Sequence, residues 1–233
     1  VEAHTSGSII LAGILLKLAV FGFYRFCLLN FSDIIEVFIP LIYLLSLIGV
    51  LFASFSALRQ TDVKRIIAYS SIAHMNLVVM GLFTNNELGL IGALLQSLSH
   101  GFVSGALFFL IGVLYDRFHT RLLIYYKGLI LFMPVFSLFF IFFNFANVAF
   151  PGTSSFIGEF LILTSIFQYY TVTVLFAGLG IIFGVCYTLW LVNRICFTNL
   201  SYIKIYTGFK NSDLNLREIY ILFFLTFFVL LFG

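Results

Sequence analysis

Apolar stretches of about the length needed to span a bilayer follow one another along the whole chain, at residues 7–28, 34–57, 66–83, 88–115, 134–169, 171–196 and 217–232. A helix crossing the hydrocarbon core needs about 20 mostly apolar residues at about 1.5 Å of rise each. Hydrocarbon offers no partner to a free backbone N–H or C=O, so segments of this length must satisfy their hydrogen bonds internally, as helices. The charge content closes off a soluble globule. Only 12 Lys+Arg and 9 Asp+Glu occur in 233 residues, 9% of the chain, against about 25% in soluble domains. The sequence predicts an all-α, polytopic transmembrane helical bundle, a single membrane domain over residues 1–233 with about seven spans. Membrane lipid is its expected surroundings, and nothing points to nucleic acid.

The run 134–169 is unlike the others. Pro134 suits the first position of a helix, and Pro151-Gly152 interrupts the run in its middle. Each half is too short to cross alone, so one discontinuous helix is expected rather than two spans. Basic residues test this independently, because Lys and Arg collect in short loops on one side of a membrane. With one broken span, Arg59, Lys64, Arg65, Arg117, Arg121, Lys127, Arg194, Lys204, Lys210 and Arg217 all fall on one side. With two full crossings, the residues from Arg194 onward would move to the other side. The broken-helix count also places the N-terminal end on the basic side. The loop Asp62-Val63-Lys64-Arg65 is then a helix start carrying topology determinants.

Lys17 is the basic residue that no loop explains. It sits midway along 7–28 between Leu16 and Leu18, where an ionisable side chain costs about 3 kcal/mol on insertion scales and marks a candidate site. The structural alternative is a lysine bonded to the carbonyls of a broken helix. His74, His100 and Glu159 lie at similar depth on three other spans. Ser70, Ser71 and His74 share a helix face, as do Gln96, His100 and Ser104. Singly, each histidine could be a hydrogen-bonded packing residue. Four titratable groups at one level point instead to a proton or ion pathway near the midplane, because burial brings lysine and carboxylate toward neutrality and histidine titrates near pH 7 through either nitrogen. Pro151-Gly152, with Asn147, Thr153, Ser154 and Ser155 beside it, is expected to form a hydrated gap with helix-end dipoles. Cys27, Cys186 and Cys196 are widely spaced and form no CxxC pair, so neither a metal cluster nor a disulfide framework is suggested.

Four ordered blocks carry a resemblance: GSIILAGILLKLAVFGFYRF (7–26), LRQTDVKRIIAYSSIAHMNL (58–77), SLSHGFVSGALFFLIGVLYDRFHTR (97–121) and PGTSSFIGEFLIL (151–163). They closely resemble the subunit 4 family of proton-pumping NADH:ubiquinone oxidoreductase, respiratory complex I, and are more distantly similar to subunits of multi-subunit sodium/proton antiporters. The resemblance implies an antiporter-like fold of about fourteen helices in two inverted repeats, of which this chain would hold helices eight to fourteen, with the second repeat at about 34–196. It implies a central relay of Lys17, His74 and His100 ending at Glu159, and neither a metal nor a cofactor in this chain; flavin and iron–sulfur clusters would belong to partner subunits. Expected partners are the other membrane subunits of the complex, including antiporter-like neighbours. A separate polypeptide would supply the family's first seven helices. The expected location is the mitochondrial inner membrane with the basic loops toward the matrix, or alternatively a bacterial plasma membrane. His4 stands where the family usually has proline and is not expected to be a ligand.

Three other functions compete. A sodium/proton antiporter subunit would share the same residues and differ in its ion. A haem-binding subunit would use His74 and His100 as axial ligands. A structural or assembly subunit would use none of the four.

Overall fold

A computed structural model describes residues 3–198 and 213–233. Its helices are α1 (Thr5–Leu28), α2 (Ser32–Arg59), α3 (Val63–Leu82), α4 (Glu87–Phe118), α5 (Pro134–Asn147), α6 (Ser154–Tyr169), α7 (Thr171–Phe197) and α8 (Leu216–Leu231). Among the described residues no strand occurs, and the one isolated β-bridge pairs Asp62 with Leu122. α1 to α4 and α7 are each long and apolar enough to cross a membrane. α5 and α6 are the two halves expected around Pro151-Gly152. π-helical turns widen α1 at Leu11–Leu15 and Phe23–Leu28 and close α7 at Asn193–Phe197.

Local chemistry sets the helix ends. Asp62 caps α3 by accepting from the Lys64 amide at 2.9 Å, as the helix-start reading expects. α4 closes at His119, in the left-handed region at φ 53°. Asn215 and Glu218 form a reciprocal capping box at the start of α8. α5 is capped from a distance: the Asp213 carboxylate accepts from the amides of Val135 at 2.8 Å and Phe136 at 3.1 Å. Asp213→Ala should destabilise that helix start by about 1 kcal/mol, read as faster hydrogen exchange at the Val135 and Phe136 amides. Unchanged exchange there would mean that the cap is redundant.

These contacts bring the basic loops to one end of the bundle. The Val63 amide donates to the Arg121 carbonyl, and the Leu123 amide to that of Thr61. The turn Leu129–Leu131, just before α5, packs on Asn193–Phe197 at the end of α7. The path from 134 to 197 therefore leaves one end of the bundle and returns to it. Arg117 pairs with Glu218 at 2.8 Å, tying the end of α4 to the start of α8. Lys64 departs from its reading as a loop determinant. It is buried within α3 and donates its Nζ protons to the Ala3 carbonyl at 2.5 Å, because the segment leading into α1 folds over it. That contact places the start of α1 at the same end. Lys204 and Lys210 lie outside the described residues.

α3 and α4 are the central helices, with 61% and 72% of their spanning windows buried against 17% to 22% for α1, α2 and α7. The outer faces of α2 and α7 present Val37, Phe52, Val172 and Leu175, all well exposed, as a lipid-facing surface requires. Both histidines of interest are thus on the two most enclosed helices.

Candidate functional site

The site begins where α1 meets α4. Gly13 and Gly101 let the two backbones approach so closely that a Cβ on Gly101 would stand 3.2 Å from the Gly13 carbonyl oxygen and 3.4 Å from Cε of Lys17. Lys17 follows the first π turn, and its Nζ donates to the Ala12 carbonyl inside that turn. The bond goes to its own helix and not to the broken one, unlike the structural alternative. The same Nζ lies 3.0 Å from Nδ1 of His100. An ammonium has only donors, so a protonated Lys17 makes Nδ1 the acceptor and leaves the proton of a neutral His100 on Nε2. That atom is buried and has no hydrogen-bond partner among the described residues.

The second half is built where α3, α4 and α6 meet. A Cβ on Gly92 would strike Leu161 at 2.8 Å, and one on Gly158 would strike the backbone of Gln96 at 2.8 Å. This close seam sets Gln96 against Glu159, whose Oε1 accepts from Gln96 Nε2 at 2.9 Å. Nδ1 of His74 lies 2.9 Å from the same oxygen. That contact is one of charge and proximity, since the ring nitrogen is not aligned for a hydrogen bond. The rings of His74 and His100 lie 5.6 Å apart, tilted by 44°. Lys17, His100, His74 and Glu159 thus stand in one row from α1 through α4 and α3 to α6. His100 and Glu159 are 3% and 5% exposed.

The break supplies polar groups at the far end of the row. Ala149 and Gly152 hold positive φ, 61° and 92°, a conformation glycine adopts at little cost. Carbonyls freed by the interruption take hydroxyl donors: Ser155 reaches back to the Ala146 carbonyl, and Thr153 to that of Phe150 at 2.7 Å. The Ser154 hydroxyl is buried without a partner among the described residues, as is that of Ser104. The expected serine faces are only partly site residues, since Ser70 and Ser71 both donate to the Ile67 carbonyl of their own helix.

All four residues singled out from sequence are brought together. Gln96 was legible only as a polar neighbour of His100, and its hand-off to Glu159 emerges from the glycine seam. Tyr187 was not singled out. It is 2% exposed, and its hydroxyl stands beside that of Ser70 with Glu159 in electrostatic range. Its pairing with Thr188 in the mostly apolar stretch 174–192 of α7 was the signal available. The two histidines are engaged by Lys17 and Glu159 and nearly touch, which leaves no slot for a macrocycle between them, so axial haem ligation does not fit.

Residues 1–183 match the family described as NADH:quinone oxidoreductase/Mrp antiporter, TM. NADH-ubiquinone oxidoreductase chain 4 of Chondrus crispus is 52% identical over 232 residues, covering 100% of this chain and 46% of that protein. Among solved structures, a chain of respiratory complex I from Thermus thermophilus with bound NADH superposes with TM-score 0.86 at 27% identity, over 94% of this chain and 45% of that one. A chain of the Mrp complex from a Dietzia species shares the fold, with TM-score 0.79 at 17% identity over 89% of this chain and 38% of that one. The chain spans somewhat less than half the length of these relatives. With a family match over residues 1–183 and a helix arrangement shared with these solved chains, the chain belongs to the transmembrane NADH:quinone oxidoreductase/Mrp antiporter family.

Proposed function

We propose that this chain is the proton-translocating portion of an antiporter-like membrane subunit of NADH:ubiquinone oxidoreductase. The observation that supports it most is the row Lys17, His100, His74 and Glu159, with contacts of 3.0 Å and 2.9 Å at its two ends and adjacent imidazoles between. The chemistry is proton exchange. Lys17 can pass a proton to Nδ1 of His100 as Nε2 releases one, since imidazole accepts at one nitrogen and donates from the other. His74 relays to Glu159, where Gln96 steadies the carboxylate that receives the proton. Burial keeps each charged form costly unless its neighbour compensates, so a charge displaced at one end is felt at the other.

The driving force comes from outside the row. Moving one charge against 100 mV takes about 2.3 kcal/mol, supplied by redox chemistry in partner subunits that hold the flavin and iron–sulfur clusters. In this reading the chain carries the second inverted repeat, about residues 34–196, and assembles with neighbouring membrane subunits. It lies in the mitochondrial inner membrane, with the Arg59, Arg121 and Arg194 end toward the matrix.

The test neutralises the row in the intact complex reconstituted into vesicles. Lys17→Met, His100→Ala and Glu159→Gln combined should leave no NADH-driven proton translocation by this subunit. Normal translocation would make the chain structural. The second reading, sodium/proton exchange, is favoured by the shared fold of the Mrp chain. It requires translocation to fail when sodium is replaced by choline, whereas proton pumping requires it to continue.

A further inference from the structure

Gln96 meets Glu159 with one end of its amide and a second buried group with the other. Its Nε2 donates to Glu159 Oε1 at 2.9 Å. Its Oε1 stands 3.3 Å from the Ser99 hydroxyl, which also lies 3.0 Å from the Gln96 backbone carbonyl. Residues 96 and 99 share a face of α4 and are 1% and 2% exposed, so neither end of the amide has solvent to turn to. Ser97 and Ser165 also donate to the carbonyl three residues back, at 2.8 and 2.7 Å. Ser99 differs in having a second acceptor within reach, and that acceptor is the amide that holds Glu159.

The second contact matters because the two ends of an amide have nearly the same shape and opposite hydrogen-bonding character. An ionised carboxylate only accepts, so it takes the Nε2 end. A protonated one has an O–H to donate, and Nε2 offers it no acceptor. When a proton reaches Glu159 Oε1 by way of His74, 2.9 Å away, a half-turn of the amide brings Gln96 Oε1 round to accept from the new acid. Ser99 fits both positions. In the first its hydroxyl donates to Gln96 Oε1; in the second its proton goes to the Gln96 backbone carbonyl and its oxygen accepts from Nε2. A hydroxyl has one proton and two acceptor lone pairs, so both ends of the amide stay paired in either position. Without Ser99, the end turned away from Glu159 is left buried and unpaired each time, a costly state. The backbone beneath is held in place, since Gly158 packs so closely on Gln96 that a Cβ there would lie 2.8 Å from its Cα and N.

We propose that Ser99 is a positioning residue that makes the Gln96 amide a two-position switch, with Nε2 toward Glu159 while it is ionised and Oε1 toward it once it is protonated. The switch rests on the reading of Glu159 as an exchange site and deepens it: the amide favours carboxylate and acid in turn, so neither form traps the proton. No covalent bond is made or broken at Gln96 or Ser99; only their hydrogen bonds change partner.

The experiment steps the pH on the intact complex in vesicles and records infrared difference spectra, with the glutamine side-chain carbonyl isotopically labelled. A carboxyl band missing from Glu159→Gln belongs to Glu159, and an amide band missing from Gln96→Met belongs to Gln96. Wild type should show the two bands rising together. Ser99→Ala should keep the carboxyl band, lose most of the amide band, and slow NADH-driven proton translocation about tenfold, the equivalent of one hydrogen bond. Ser99→Thr, which restores the hydroxyl, should recover both. His74 of α3 and the Tyr187 hydroxyl of α7 also face Glu159 and are the same in every variant. A role for Ser99 in helix packing alone leaves the amide band unmoved. A Glu159 band without a Gln96 band in wild type overturns the switch, as does a full amide band in Ser99→Ala with wild-type translocation. If no Glu159 band titrates, or Glu159→Gln pumps fully, the reading of Glu159 itself fails and takes the switch with it. Should Ser99→Ala not assemble, the wild-type and Gln96→Met spectra still decide, since absence of the Gln96 band is sufficient to overturn the switch.

Discussion

Glu159→Gln should abolish proton translocation by this subunit while the complex still assembles. The substitution exchanges one carboxylate oxygen for an amide nitrogen at nearly constant volume. The remaining oxygen can still accept from Gln96 Nε2, the 2.9 Å bond that holds the side chain in place. Packing along the glycine seam is untouched. What disappears is the only group at that end of the row able to take up and give back a proton at Oε1, 2.9 Å from His74. Positioned acid–base groups contribute about 10²- to 10⁴-fold to proton transfer, so the residual rate should fall below detection against turnover. Glu159→Asp keeps the acid but shortens its reach by one methylene, moving the carboxylate away from both His74 and Gln96, and should give intermediate activity. The measurement is the ratio of protons moved to electrons passed in vesicles. An unchanged ratio in Glu159→Gln would remove Glu159 from the path.

The individual members of the row were legible because hydrocarbon makes them conspicuous. A lysine between two leucines, or a histidine in the middle of a span, has a cost that demands a partner. Their partners were not legible. Lys17 meets His100 across 83 positions of sequence, and that meeting depends on Gly13 and Gly101 letting two backbones close up, which no local pattern announces. The Pro151-Gly152 interruption was visible because proline removes a donor and glycine tolerates positive φ. The charge count across the loops then decided between one crossing and two. Lys64 shows the limit of that bookkeeping. It stands in a basic tetrapeptide at a helix start, yet the preceding segment folds over it and its ammonium is spent on a backbone carbonyl. Tyr187 was hidden for a different reason: the chain contains 12 tyrosines, and residue type alone does not separate one facing Glu159 from those at membrane interfaces, where tyrosine is common.

Gly158→Leu should prevent the subunit from reaching its assembled state, and the reason lies in the geometry that positions Glu159. Even a single Cβ at residue 158 would lie 2.8 Å from Cα and N of Gln96. Both are backbone atoms of a central helix, so no rotamer change relieves the contact and α4 and α6 must separate. Overpacking of a well-packed interior costs about 1–3 kcal/mol, a large share of the marginal stability of a folded chain, and a leucine carries three further carbons into the same seam. Gly158→Ala is the milder form. It should assemble in reduced amount and translocate protons poorly, because moving α6 outward stretches the Gln96–Glu159 and His74–Glu159 contacts together. The control is Gly178→Ala on α7, where a Cβ meets nothing within 4 Å and alanine is the better helix former by up to about 1 kcal/mol. That variant should assemble and pump as wild type does. Measured as the amount of assembled complex in native gels and the proton-to-electron ratio in vesicles, equal behaviour of Gly158→Ala and Gly178→Ala would show that the α4–α6 seam yields without cost. Glu159 would then owe its position to something other than the close approach of those two helices.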